Sequence, residues 1–291
     1  MLSYILGWIV GIPILVPILN TLASFPFMVL ALKRGEVRVA VARMLVWALA
    51  MGVAATVLSS ARPVQTDALF LRGESYRTKM FAWVLTGQGA ESTPSQFIPQ
   101  QTKDAAIFSA LALATGGVLA MPMGAALMNY MGHYVGTLAA SSAHPWRTLV
   151  LAWHPWAVIR VISFVTIGVI LSAPLLSRVG GFRIDWRAAR PLLVAACVGL
   201  VADVMLKALF APMWQRLLLP DGRVVTRQAP SATSEWVSAS SRTARRSSLP
   251  VPSVGIDSTK CRSSRFGTQR RGNPDRPSRS AISDGVTPGS V

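Results

Sequence analysis

PLLVAACVGLVADVMLKALFAPMW, residues 191–214, decides the fold. Its 24 residues carry two charges, Asp203 and Lys207. A helix crosses a bilayer's hydrocarbon core with about 20 mainly apolar residues, so this stretch reads as a membrane crossing. Four further apolar runs occupy residues 4–32, 39–60, 105–140 and 155–176. The chain as a whole is 52% hydrophobic and 14% charged, with mean hydropathy +0.44. Soluble domains carry about 25% charge. The expected fold is therefore an all-α integral membrane protein of about five crossings, residues 1–219.

Outward from that stretch, the charges mark the edges of the runs. Lys33, Arg34 and Arg38 follow the first run, which lacks the positive leader of a cleaved signal peptide and reads as a retained crossing. By the positive-inside rule that turn is cytoplasmic, with the N-terminus outside a plasma (inner) membrane and the C-terminus cytoplasmic. The third run is too long for one crossing, and Pro122 within MPMG suggests either a kink or a re-entrant break. A break there would invert everything after it. Residues 61–104 form a polar loop in which RGESYRTKMFAW suggests an amphipathic surface helix and GQGAESTPSQFIPQQ a turn region.

Net charge is +17, but twelve of the 29 Lys and Arg lie after residue 220. Most of the others flank apolar runs. That distribution suits lipid headgroups and argues against nucleic acid as a partner. The Ser/Arg/Pro-rich tail, residues 220–291, has too few large apolar residues to offset chain entropy and is expected to be disordered. Its composition also matches a GC-rich gene translated out of frame.

Small residues recur every four positions in the third run: Ala112, Gly116, Ala120, Gly124, then Gly132, Gly136 and Ala140. With Gly199 in the fifth run, Gly116, Gly124, Gly132 and Gly136 are the expected helix-packing positions, because small faces let backbones approach closely in lipid. Such faces also suit contact with other membrane subunits or self-association.

Asp203 and Lys207 continue the small face of the fifth run. At i,i+4, with the acid first, they can pair with each other. Each is costly in a membrane interior, so both are candidate binding residues. Asn129 and His133, also i,i+4, form a polar stripe that suits a ligand, a proton relay or hydrogen bonds between helices.

The three histidines, His133, His144 and His154, raise the question of a metal or haem site, since HPW occurs at 144–146 and again at 154–156. No HExxH is present, and no Asp or Glu lies between residues 105 and 184. No metal or cofactor is therefore expected. Proline suits a helix's first turn, so each HPW reads as a helix start. Residues 145–153 then form a short interfacial helix anchored by Trp146, Trp153 and Trp156, with His144 and His154 near water.

No hydrolase elbow, nucleotide loop or carboxylate pair appears, and the sequence leans away from an enzyme. The expected function is a permease-like or accessory membrane subunit handling a small solute. The alternatives are a membrane organiser without substrate and, third, a membrane-embedded enzyme.

Overall fold

The computed structural model describes residues 2–219, and all regular structure in them is helical. The expectation for the tail, residues 220–291, lies outside the described residues. The architecture is an all-α membrane fold. Among the described residues four helices are long and apolar enough to cross a membrane: Leu15–Lys33, Val37–Ala61, Pro155–Gly180 and Trp186–Leu218.

The first apolar run is three pieces: α1 (Leu2–Val10), α2 (Leu15–Leu22) and α3 (Phe25–Lys33). Pro13 lies in the gap after α1, while Pro17 and Pro26 sit in first turns, where a missing N–H costs nothing. Ala23 and Ser24 stay in the right-handed helical region, so α2 and α3 act as one 19-residue span. The second run is α4 (Val37–Ala61).

Residues 61–104 are not a loop. They fold into α5 (Pro63–Leu69), α6 (Gly73–Thr86) and the start of α7 (Pro94–Thr115). Helix α6 is the amphipathic surface helix expected at RGESYRTKMFAW, with Glu74, Ser75, Thr78 and Lys79 on its exposed side. Met80, Trp83 and Val84, at i, i+3 and i+4, are buried against the body of the protein.

The third run, 105–140, is two helices, α7 and α8 (Ala120–Ser141). The break is not at Pro122, which sits in the first turn of α8. It falls at Gly116 and Gly117, both left-handed (φ +59° and +89°). The Gly117 N–H reaches the Ala112 carbonyl at 3.1 Å, closing α7 as a Schellman-type cap. Gly116 is thus a turn residue, buried where an added Cβ would stand 3.3 Å from Leu176 of α10, and the small-residue series does not run along a single face.

After the break the small residues do face a neighbour. A Cβ on Gly132 would come within 2.6 Å of Ala55 Cβ and 3.0 Å of the Gly52 carbonyl oxygen. One on Gly136 would overlap the Thr56 carbonyl and stand 3.0 Å from the Ser60 amide nitrogen. These glycines let α4 and α8 pack backbone to backbone, the most extensive helix pair in the structure. Gly124 meets only Phe108, at an ordinary 3.4 Å.

The HPW repeat opens two helices, α9 (Pro145–Ala152) and α10 (Pro155–Gly180), with a proline at N1 of each. The two repeats have opposite surroundings. His144 and Trp146 are exposed, and Trp153 is half-buried against Gly52. His154 and Trp156 are not near water or headgroups: both are buried, with rings stacked 4.7 Å apart and 5° from parallel. Trp156 also meets Trp214 edge-on, and Tyr134 and Trp83 close over His154. The aromatic body of this repeat fills core where an interfacial anchor was expected.

Helix α11 (Trp186–Leu218) is capped by Asp185, whose carboxylate accepts from the Arg187 and Ala188 amides at 3.0 and 3.3 Å. It packs along α10, with Gly199 against Ser163 and Ile159.

Candidate functional site

Every polar group buried in an apolar bundle needs a partner, so the hydrogen-bond ledger locates the candidate chemistry. Two networks emerge.

The first runs through α8. Asn129 Oδ1 accepts from the Tyr4 hydroxyl at 2.8 Å and the Asn20 amide at 3.3 Å. One turn on, His133 Nδ1 meets Ser59 Oγ at 3.0 Å and Nε2 meets Asp67 Oδ1 at 2.8 Å. A carboxylate only accepts, so in the neutral ring Nε2–H donates to Asp67 and Nδ1 accepts from Ser59. Arg77 holds Asp67 from the other side with two hydrogen bonds, at 2.9 and 2.7 Å. The Phe70 ring lies against both Tyr4 and His133. Asn129 and His133 therefore serve helix contacts, each in its own set of partners.

Ser59, His133 and Asp67 are the residue types of a hydrolase triad. Ser59 cannot act as its nucleophile, because it is fully buried in the α4–α8 contact, beside Gly136, where there is no room even for an added methyl.

The second network joins α6–α7, α10 and α11. Asp203 and Lys207 do not pair with each other. Asp203 takes a bidentate ion pair from Arg160 of α10, with Nε at 2.8 Å and Nη2 at 3.0 Å, and a further hydrogen bond from the Gln101 side-chain amide. Lys207 pairs with Glu91, from the connection between α6 and α7, at 2.8 Å, and its ammonium lies 4.5 Å from the Phe97 ring centre. An i,i+4 pair on one helix contributes a few tenths of a kcal/mol. A planar guanidinium fork fits a buried carboxylate far better, and it wins here.

The two pairs are built oppositely. Asp203 is sealed (0% side-chain exposure) while Arg160 keeps 29%; Lys207 is nearly sealed (3%) while Glu91 keeps 21%. Burial pushes the Glu91 carboxyl up, but Lys207 and Arg160 override it and hold the group below its ordinary range. Gln101 Oε1, Tyr134 Oη and His154 Nε2 are buried without a hydrogen-bond partner among the described residues.

Sequence reasoning missed Glu91, Arg160, Gln101 and Asp67. Arg160 stands inside a crossing and was legible there as a buried-charge candidate. Glu91 and Gln101 sit in a segment that looked like a turn. Among the described residues no three His, Cys, Asp or Glu side chains converge on a metal site.

His154 gives a pH prediction. Burial pushes its imidazole down to about 4, against the pull of Glu91. In the unfolded chain a histidine titrates near 6.5, so between about pH 6.5 and 4 the unfolded state binds a proton that the folded state refuses. The stability is fully present above pH 6.5 and is lost as pH falls toward 4, by about 3 kcal/mol in all. In His154→Phe this part of the pH dependence should vanish, as read by thermal unfolding in detergent across that range. An unchanged slope would refute it.

Comparison with family models, curated proteins and solved structures finds no match to this chain.

Proposed function

We propose that this chain is a permease-like or accessory membrane subunit that handles a small solute at the Glu91–Lys207–Arg160–Asp203 cluster. One observation carries the reading: each buried ion pair contains one sealed member and one member that is partly exposed. A pair kept only for packing has no need of an exposed end, whereas a solute site must be reached. The membrane is a plasma (inner) membrane with the Lys33–Arg38 turn cytoplasmic, supported by the charge at that turn.

The scaffold reading has one observation in its favour: Asn129 and His133 are buried and bond to neighbouring helices, Asn129 Oδ1 to Tyr4 and His133 to Ser59 and Asp67. Thiol labelling separates the two. In a background with Cys197 and Cys261 replaced by serine, Lys207→Cys and Asn129→Cys are treated with a membrane-impermeant thiosulfonate in sealed vesicles. Solute handling requires Lys207→Cys to react at least about tenfold faster, the ratio that a 1.4 kcal/mol difference in local opening gives. Equal protection of both positions would leave the scaffold reading standing and remove this one.

A further inference from the structure

We infer that the solute taken by this cluster is a small zwitterion, with its carboxylate on Arg160 and its ammonium on Glu91. The inference rests on the solute-handling reading above and names the substrate class for it. Asp203 and Lys207 are one turn apart on α11, about 6 Å along the axis, so their partners stand side by side. The sealed members, Asp203 and Lys207, are the inner anchors. The open members are the outer face, and they have opposite sign: Arg160 is the cation and Glu91 the anion.

Both outer groups have valence to spare. Arg160 uses its Nε–H and one Nη2–H on Asp203, which leaves three of its five N–H donors with no partner among the described residues. Glu91 meets Lys207 through Oε2, and no ion pair or hydrogen bond ties Oε1 to another described residue. The four charges cancel: two acids against two bases. A simple anion drawn to Arg160 is opposed by Glu91 beside it, and a simple cation drawn to Glu91 is opposed by Arg160. A solute carrying both charges satisfies both groups, and the site rejects the singly charged analogues by repulsion as well as by missing contacts. The neighbouring Phe97 ring, already under the Lys207 ammonium, favours a cationic end on the Glu91 side.

The test uses the purified full-length protein in detergent and reads its thermal unfolding with glycine, β-alanine and γ-aminobutyrate as zwitterions, and with acetate and methylammonium as single-charge controls. At 10 mM, a zwitterion bound at about millimolar Kd should raise the Tm by about 4 °C, with neither control doing so. Glu91→Gln, which keeps the shape and removes the charge, should abolish the shift while the protein still unfolds cooperatively. A Tm raised equally by acetate or methylammonium, or a zwitterion shift that persists in Glu91→Gln, would overturn the inference. So would the absence of any shift with all three zwitterions. If Lys207→Cys is nonetheless reached from water, only the substrate class has failed; if it is not, the solute-handling reading fails with it.

Discussion

Gly136→Ala is expected to destabilise the protein by about 3 kcal/mol, although alanine is the better helix former. The added methyl would overlap the Thr56 carbonyl and stand 2.9 Å from Ser59 Cβ and 3.0 Å from the Ser60 amide nitrogen. Two of those three are backbone atoms of α4 and cannot rotate away, so the helices must separate. Separation also loosens the contact that holds Ser59 against His133, and the Ser60 hydroxyl that donates to the Gly136 carbonyl at 3.1 Å. Gly124→Ala makes the same chemical change earlier in the same helix, at a position that meets only the Phe108 ring edge at 3.4 Å. It should be neutral or gain up to about 1 kcal/mol from helix propensity. Unfolding in mixed micelles titrated with denaturing detergent reads both. Equal midpoints for the two variants would show that backbone contact between α4 and α8 does not decide stability.

That contrast also shows what the sequence could carry. The four-residue spacing of small side chains is local, and it correctly marks where backbones approach along the second half of the third run. It does not say where the helix stops. Two adjacent glycines with positive φ end α7, and Pro122 lies harmlessly in the next helix's first turn. Four of the five apolar runs hold a helix long and apolar enough to cross, because bilayer thickness acts on every residue of a run; the third run divides into α7 and α8 and adds none among the described residues. The polar segment 61–104 hid α5 and the start of α7 because its buried apolar residues are few and scattered: Leu69 and Phe70 at the end of α5, Met80, Trp83 and Val84 in α6, and Phe97 in α7. The candidate site was half legible. Asp203 and Lys207 stand out as charges in an apolar run, but their partners lie 43 residues away at Arg160 and far earlier at Glu91. Local spacing proposes only the i,i+4 pair, and three-dimensional packing supplies stronger partners. The second HPW failed as an anchor for the same reason: Trp156 meets Trp214 and His154 in the folded core, and the Trp214 contact lies beyond any short window of sequence.

Arg160→Met should be the most damaging single change in the cluster, at about 3–5 kcal/mol, the usual cost of stranding one partner of a buried ion pair. It leaves Asp203 fully enclosed with only the Gln101 amide as a donor. Asp203→Leu removes the other partner and should cost less, about 1–2 kcal/mol, because Arg160 is 29% exposed, near the start of α10, and its long side chain can snorkel toward that end. The double variant replaces the pair with apolar groups of similar size and should recover most of the loss, since such replacements are often neutral or stabilising. The coupling read from this double-mutant cycle should then exceed about 1 kcal/mol, well beyond the few tenths expected of independent sites. Additive losses, or equal losses for the two single variants, would contradict the asymmetric burial on which the site reading depends. A stable double variant that no longer shifts with a zwitterion would separate the cluster's role in folding from its role in binding, because the fold would persist with the outer cation gone.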